Sequence, residues 1–116
     1  MKTIIAGGRD YKLTDEGRRM LDILRPTITE VVSGKARGAD SEGERWANEN
    51  GIPVKGFPAD WGAHGKAAGP IRNQQMADYA EQLIAFWDGK SSGTRDMIRR
   101  AVAKRITVHV IFYGDH

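Results

Sequence analysis

The sequence predicts a Rossmann-like α/β fold, a three-layer sandwich around a mostly parallel five-stranded sheet. Short apolar runs alternate with segments of helical period along the chain, which is typical of a parallel sheet with helices on both faces. Right-handed crossovers then favour a doubly wound topology. A length of 116 residues fits one domain, so we expect residues 1–116 to form a single unit of this fold.

The first half of the chain carries three predicted strands and two predicted helices. The first two strands are short apolar runs that end at glycine. The first helix is favoured by Met20, Leu21 and Leu24 along one face and by Pro26 beyond its end. The predicted strands are residues 3–6, 29–33 and 53–57, and the predicted helices run from Thr14 or Asp15 to about Arg25 and over residues 39–50, with Gly51 as the C-terminal glycine.

The second half begins with residues 58–69, which show no clear period and are predicted to form a long loop. A loop of this length in a small domain is usually functional or disordered, and Trp61 argues against disorder. Pro70 then suits the first turn of a helix. The remaining predicted elements are a helix over residues 70–80, a strand over 82–87, a helix over 94–104 and a strand over 107–113.

Composition excludes several classes of function. The absence of cysteine excludes disulfides, thiolate metal sites and thiol nucleophiles, and the three histidines show no metal-ligand spacing, so no metal and no cofactor is predicted. A net charge of +3 is modest for a duplex-DNA binder, which disfavours a nucleic-acid partner without excluding one. No apolar run approaches the roughly 20 residues that span a bilayer, and residues 1–6 are unlike a signal peptide. We therefore expect a cytoplasmic protein with no membrane partner.

Glycine is the unusual feature of the composition. The chain has 14 glycines, about 12% of its residues against a usual value of about 7%. Most follow predicted strands, in the segments GGRD (7–10), SGKARGAD (33–40), PADWGAHGKAAG (58–69) and DGKSSGT (88–94). These connections meet at one edge of a parallel sheet, the edge at which doubly wound folds bind their ligands.

The residue types at this edge are suited to binding an anion. Glycine lets backbone N–H groups approach phosphate oxygens, helix N-termini carry partial positive charge, and arginine supplies a cationic fork. We expect Gly8, Gly34, Gly93 and Thr94 to cradle a phosphate group that Arg72 neutralises. Neither a dinucleotide-binding G-x-G-x-x-G nor a P-loop motif is present, so common dehydrogenases and NTPases are disfavoured.

Several of these residues have a structural alternative. Asp40 could cap a helix or bind a ribose hydroxyl, and Trp61 could fill the core or stack on a base. Asp88 could bind a ribose hydroxyl or a metal, or close a turn, and Arg9 and Asp10 could pair with each other. The full set of predicted ligand contacts is Gly7, Gly8, Arg9, Asp10, Ser33, Gly34, Arg37, Gly38, Ala39, Asp40, Trp61, Gly69, Arg72, Asn73, Asp88, Ser91, Gly93 and Thr94.

Five ordered segments carry a resemblance to a known family. They are GGRD (7–10), SGKARGAD (33–40), WANENGI (46–52), FPADWGAHGKAAGPIRNQQM (57–76) and DGKSSGTRDMI (88–98). Together they resemble the SLOG superfamily, which includes the Smf/DprA and LOG proteins, and within it the small YspA/YpsA-related domains of unknown function. The resemblance implies binding of a nucleotide or a nucleotide-derived ligand, often as a sensor in phage conflict or bacterial stress systems.

The resemblance also raises the question of catalysis. LOG proteins hydrolyse the N-glycosidic bond of nucleoside monophosphates with an arginine and a glutamate. Arg72 matches that arginine and Gly93-Thr94 match the adjoining motif, but Met97 stands at the glutamate position and cannot act as a general base. Asp96 lies about 100° around the helix and is a poor replacement. The catalytic residues are therefore unknown, with Arg72, Asp88, Asp10 and Asp40 as candidates.

We therefore predict a domain that binds a nucleoside phosphate or an ADP-ribose-like ligand at the carboxyl edge of the sheet. The first alternative is an N-glycosidic-bond hydrolase, for which a carboxylate near the ribose would have to stabilise an oxocarbenium-like transition state. The second is DprA-like binding of single-stranded nucleic acid. Association into a homo-oligomer is also expected to be possible, since sheet domains of this type commonly pair through a helix face.

Overall fold

In the computed structural model, which describes residues 1–114, five parallel strands form one sheet between two layers of helices. The strands are β1 (Lys2–Gly7), β2 (Glu30–Ser33), β3 (Val54–Gly56), β4 (Gln82–Trp87) and β5 (Thr107–Phe112). The helices are α1 (Asp15–Leu24), α2 (Ala39–Glu49), α3 (Trp61–His64), α4 (Ala68–Tyr79) and α5 (Ser92–Ala103), with 3-10 turns at Arg25–Thr27 and Gly65–Ala67. This architecture confirms the predicted Rossmann-like class. His116, one of the three histidines, lies outside the described residues.

The strand order β3-β2-β1-β4-β5 places the first strand at the centre of the sheet. The chain builds outward from β1 through β2 to β3, and then returns to pair β4 with the other side of β1. In the β1–β4 ladder Ile5 pairs with Ile84, and Gly7 pairs with Phe86. The carboxyl ends of β1 and β4 therefore flank the point at which the winding direction reverses, where ligands of such sheets bind.

The core has two halves, one on each face of the sheet. Successive residues of a strand point to opposite faces, so Ile4 packs with the Met76 and Met97 side chains of α4 and α5, and Ile5 packs with α1 and α2. The Trp46 side chain of α2 is fully buried in the second half. Its indole Nε1 donates a hydrogen bond to Asp22 Oδ1 at 3.0 Å.

The N-terminal ends of α2 and α5 differ from the prediction. Of the two predicted alternatives for the start of α1, Thr14 is the cap, since its Oγ1 accepts a hydrogen bond from Gly17 N at 2.9 Å. Asp40, in contrast, is the second residue of α2 and its N-cap residue is Gly38, so the interpretation of Asp40 as the cap is wrong. Helix α5 begins after Ser91, two residues earlier than predicted, which places Thr94 inside the first turn rather than at the cap.

The predicted loop over residues 58–69 contains regular structure. The Asp60 side chain accepts a hydrogen bond from Ala63 N at 3.0 Å and caps the short helix α3. Gly65, with a φ of 54°, ends that helix, and a 3-10 turn leads directly into α4. Helix α4 begins at Ala68, so Pro70 is its third residue and not its first. Proline is tolerated there because a first-turn N–H has no intrahelical acceptor.

Candidate ligand site at the carboxyl edge of the sheet

Two adjoining cavities open at the carboxyl edge of the sheet. The larger, of about 680 Å³, lies at the reversal point and is lined by the loops after β1, β2 and β4 and by α4; we call it the switch-point cavity. The second, of about 630 Å³, lies beside it over the loop after β2, and we call it the side cavity. Arg9, Ala36, Trp61 and Arg72 line both cavities and form their common border.

Most of the predicted ligand contacts line one of these cavities. Those in the switch-point cavity are Gly7, Gly8, Arg9, Asp10, Asp40, Trp61, Gly69, Arg72, Asn73, Asp88, Ser91, Gly93 and Thr94. Gly34 and Arg37 line the side cavity. Ser33, Gly38 and Ala39 line neither cavity.

These last three residues serve the packing of the β2–α2 connection. Ser33 is fully buried, and its hydroxyl donates to Glu44 Oε2 at 2.6 Å and accepts from Lys35 N at 3.1 Å. Ala39 is fully buried at the start of α2. A Cβ on Gly38 would overlap the carbonyl oxygen of Gly8, so the glycine is required for the contact between two loops.

The glycines after β1 are also occupied by the fold. Gly8 N donates to the carbonyl oxygen of Phe86 at 3.3 Å, and Gly8 O accepts from Ala39 N at 3.1 Å. A Cβ on Gly7 would overlap the same Phe86 carbonyl and would lie 2.9 Å from Ala39 Cβ. The Gly8 amide is therefore not free to bind a phosphate group, which corrects the prediction for this residue.

The first turn of α5 is arranged differently. The Ser91 side chain makes no capping hydrogen bond, and the amides of the first turn have no intrahelical acceptor. A Cβ on Gly93 would meet no atom within 4 Å, so the fold itself does not require glycine there. Ser91, Gly93 and Thr94 all line the switch-point cavity. Free amides and open space next to a cavity are what close approach of an anion requires.

Three of the four helices that border the switch-point cavity have no side-chain cap. Thr14 caps α1 and Asp60 caps α3. In contrast, α2, α4 and α5 have no side-chain cap, and the first turn of each contributes residues to the switch-point cavity. The positive ends of three helix dipoles therefore converge on this cavity.

The turn before α5 is closed by Asp88. Its Oδ1 accepts hydrogen bonds from Lys90 N and Ser91 N, both at 2.8 Å, and these bonds hold the pKa of Asp88 below its usual value. Of the alternatives for Asp88, closing the turn is the one that its contacts support. Trp87 Nε1 donates to Ser91 O at 3.1 Å and supports the same turn.

Arg72 reaches across the floor of the site. Its Nη1 donates to Gly34 O at 2.5 Å and its Nε donates to Asn73 Oδ1 at 3.0 Å. A guanidinium carries five N–H donors, so three remain for a ligand. A Cβ on Gly34 would lie 2.6 Å from Arg72 Nη1 and 2.9 Å from Asp40 Oδ2, so glycine makes room for both charged groups. Burial, and the nearby charge of Arg9, lower the pKa of Arg72.

Asn73 links Arg72 to α5. Its Nδ2 donates to Asp96 Oδ2 at 2.9 Å and to Gly93 O at 3.4 Å, and Arg100 Nε donates to the same Asp96 oxygen at 2.9 Å. Asp96 also lines the switch-point cavity, although sequence reasoning set it aside. The position of Asp96 next to Met97 in the sequence did not predict a place at the cavity. Asp96 lies there because its carboxylate accepts a hydrogen bond from Asn73 of α4.

Asp40 is a buried carboxyl group with spare hydrogen-bonding capacity. The side chain lines the switch-point cavity with the residue only 7% exposed. Within residues 1–114 its one hydrogen bond is from Ala36 N to Oδ2, at 3.1 Å. Burial raises the pKa of Asp40 to about 6, although the Ala36 bond and the charges of Arg72 and Arg9 oppose the shift.

This pKa predicts that the Asp40 carboxylate destabilises the fold at neutral pH. Because the pKa is about 6 in the folded chain against an ordinary 3.8, the folded state binds the proton more tightly. The free energy of unfolding should therefore fall as the pH rises from 4 to 6 and stay lower above. We expect Asp40→Asn to be more stable than wild type by about 2 kcal/mol at pH 7.5, and by little at pH 4. Urea denaturation at both pH values measures this, and an equal effect at both would contradict it.

The structure decides the alternative that the sequence left open for Trp61 and shows the surroundings of Met97. Trp61 is 51% exposed and lines both cavities, so the interpretation that it fills the core is wrong. Met97 is 1% exposed and packs in the core, and it also lines the switch-point cavity. A buried thioether therefore stands at the position that the LOG resemblance assigns to the glutamate.

Among residues 1–114 no group of three or more His, Cys, Asp or Glu side chains is placed to hold a metal ion. No helix in the same range is long and apolar enough to cross a membrane.

Comparison with known proteins identifies the family. The model of the YspA, cpYpsA-related SLOG family (YAcAr) matches residues 1–64, which is more than half of the chain. The chain belongs to this family. The predicted resemblance to the YspA/YpsA-related branch of the SLOG superfamily is thereby confirmed. The SLOG chain is also 37% identical to the Gene 61 protein of Mycobacterium phage D29, across 98% of this chain and 97% of the phage protein.

A solved structure supports the fold of this SLOG domain. The chain is similar to DNA processing protein A (DprA) from Streptococcus pneumoniae, with a TM-score of 0.75 and 19% sequence identity. The match covers 98% of this chain and 50% of DprA, so the chain spans about half the length of that protein. At 19% sequence identity, this likeness shows a shared fold and nothing beyond it.

Proposed function

We propose that this SLOG domain binds a nucleotide or a nucleotide-derived ligand, such as a nucleoside phosphate or an ADP-ribose-like molecule, in the switch-point cavity. The observation that carries the proposal is the uncapped first turn of α5, which shares that cavity with the unused donors of Arg72. Family membership supports a role related to nucleotides or nucleic acids in general terms. The phage relative supports a phage setting for a ligand sensor.

The phosphate is bound by backbone and guanidinium together. The amides of Ser92, Gly93 and Thr94 supply donors at the positive end of the α5 dipole. Arg72 supplies a charge that burial keeps only weakly hydrated. Charge-assisted hydrogen bonds of this kind are about twice as strong as neutral ones.

Asp40 binds the sugar hydroxyls of the ligand. A carboxylate accepts hydrogen bonds from ribose hydroxyls, and the second oxygen of Asp40 has no partner within the described residues. Retention of a carboxyl group that costs stability is typical of a functional site. Trp61 offers an exposed ring at the cavity border, on which a base can stack.

Gly93→Val separates ligand binding from folding. Since a Cβ at Gly93 meets no protein atom within 4 Å, we expect the melting temperature to change little. The added side chain would stand between the amides and the phosphate, so we expect affinity for nucleoside monophosphates and ADP-ribose to fall at least tenfold. Isothermal titration calorimetry against the four nucleoside 5′-monophosphates and ADP-ribose measures the effect.

Gly62→Val is the matched control. Gly62 is the second residue of α3, as Gly93 is of α5, and its nearest neighbour to a Cβ would be Asp60 Oδ1 at 3.7 Å. It lines neither cavity, so its substitution should leave affinity unchanged. Equal affinities of wild type and Gly93→Val for every ligand in the panel would argue strongly against the proposed site.

Hydrolysis of an N-glycosidic bond is a second candidate function. Asp40 is the carboxylate best placed to support it, because one of its oxygens has no partner within the described residues. Asp10 Oδ1 accepts a hydrogen bond from the Tyr113 hydroxyl, and Asp88 closes its turn. In this reaction a water oxygen bonds to C1′, and the base leaves with the electron pair of the broken C–N bond and a proton. Chromatography that detects free base after incubation with a nucleoside monophosphate tests the candidate.

A further inference from the structure

The two cavities differ in charge. The switch-point cavity mixes basic side chains with the carboxylates of Asp10, Asp40, Asp88 and Asp96. The side cavity has no acidic side chain in its lining, which consists of Arg9, Gly34, Lys35, Ala36, Arg37, Pro58, Ala59, Trp61 and Arg72. A concave surface lined by four basic side chains and an indole is suited to an anion linked to an aromatic or sugar group.

Three arginines converge on the side cavity without forming an ion pair in the described part of the chain, although the charge of Asp40 acts on Arg72 and Arg9. Within residues 1–114, Arg9 and Arg37 make no hydrogen bond and no ion pair, and Arg72 bonds only to neutral oxygens. Arg9 lies close enough to Arg72 for its charge to lower the Arg72 pKa. Like charges that are held together in this way destabilise each other, and an anion between them would offset the repulsion.

Hydrogen bonds and an ion pair support the loop that carries Lys35 and Arg37. Lys35 has a φ of 62°, which is uncommon for a residue with a side chain, and its Nζ pairs with Glu44 Oε1 at 2.9 Å. Lys35 N donates to Ser33 Oγ, and Ala36 N donates to Asp40. The loop therefore places Arg37 at the rim of the cavity before any ligand arrives, which lowers the entropic cost of binding.

We infer that the side cavity is a second phosphate subsite, so that the preferred ligand carries two phosphate groups separated by a nucleoside, as in a nucleoside 3′,5′-bisphosphate or a dinucleotide. The inference rests on the proposed function, which places the first phosphate group at α5. Arg72 and Trp61 border both cavities. A sugar and base at that border would have one phosphate group on each side.

The test compares each nucleoside 5′-monophosphate with its 3′,5′-bisphosphate by calorimetry. For at least one base we expect the bisphosphate to bind at least tenfold more tightly, since two guanidiniums would contact the added phosphate. In Arg37→Gln this advantage should shrink at least threefold. Arg19→Gln is the matched control, because Arg19 is exposed on α1, makes no ion pair in the described chain and lines neither cavity.

The outcomes separate the subsite from the proposed function. Monophosphate binding without any advantage for the bisphosphates would overturn the second subsite and leave the first site intact. Binding of neither class would overturn both. A 5′-phosphorylated oligothymidylate of eight nucleotides that binds at least tenfold more tightly than thymidine 3′,5′-bisphosphate would show that the cavity follows a nucleic-acid strand, and would overturn the two-phosphate ligand.

Discussion

Arg72→Gln is expected to weaken nucleoside monophosphate binding about 100-fold, which is the largest effect on affinity among the substitutions proposed. Glutamine removes the positive charge and the three N–H donors that the fold leaves unused. Each charge-assisted hydrogen bond contributes about 1.5–3 kcal/mol, and a 100-fold loss corresponds to about 2.8 kcal/mol. Calorimetry gives the affinity, and circular dichroism shows whether the variant is folded.

Asp40 provides an independent readout of the same substitution. The Arg72 charge favours the ionised form of Asp40, so its removal should raise the pKa of that carboxyl group above about 6. NMR titration of the aspartate side chains measures the pKa. Arg72→Lys keeps the charge but not the planar fork, and should give an intermediate affinity. A folded Arg72→Gln variant with wild-type affinity would exclude Arg72 from the binding site.

Gly38→Ala is expected to cause the largest loss of stability, about 4–6 kcal/mol. Gly38 has a φ of 75° and a ψ of −125°, a backbone conformation that residues with a Cβ rarely adopt and that costs them about 1–3 kcal/mol. The added Cβ would also overlap the Gly8 carbonyl oxygen and lie 2.5 Å from the carbonyl carbon of Arg9. These are backbone atoms of a loop tied to α2, so relief requires the two loops to separate, which should add about 3 kcal/mol.

Gly51→Ala isolates the steric part of that loss. Gly51 has a similar φ of 67°, but a Cβ there would meet no atom within 4 Å. We expect this variant to lose only the conformational cost of about 1–2 kcal/mol. Urea denaturation of the two variants measures both free energies of unfolding. Equal losses would mean that the contact between the β1–α1 and β2–α2 loops does not constrain the fold.

The fold follows from the sequence more completely than the site does. Alternating apolar runs and helical segments have a direct physical meaning, because a strand buried on both faces must be apolar throughout. The short helix α3 escaped prediction because its signal is one capping residue, Asp60, in a segment with no period. The start of α4 was placed at Pro70, because proline marks a first turn without fixing which residue of that turn it is.

The position of the site was predictable, and the roles of its residues were less so. Parallel strands bring their carboxyl ends to one edge, so the turns after β1, β2 and β4 had to meet there. A glycine in the sequence does not indicate whether the backbone approaches a ligand or another loop. Gly38 is packed against the loop after β1, whereas Gly93 faces open space. The position of Asp96 at the cavity depends on a hydrogen bond between α4 and α5, and the sequence pattern does not predict that contact.

The central claim is that a nucleotide binds where α5 begins, and NMR chemical-shift mapping tests it most directly. In a titration of isotope-labelled protein with the nucleoside monophosphate that binds most tightly by calorimetry, the account predicts the largest shifts at the amides of Ser92, Gly93 and Thr94 and at the Trp61 indole N–H. These groups line or adjoin one cavity. Saturating shifts confined to other surfaces of the protein, with these four resonances unmoved, would contradict the account.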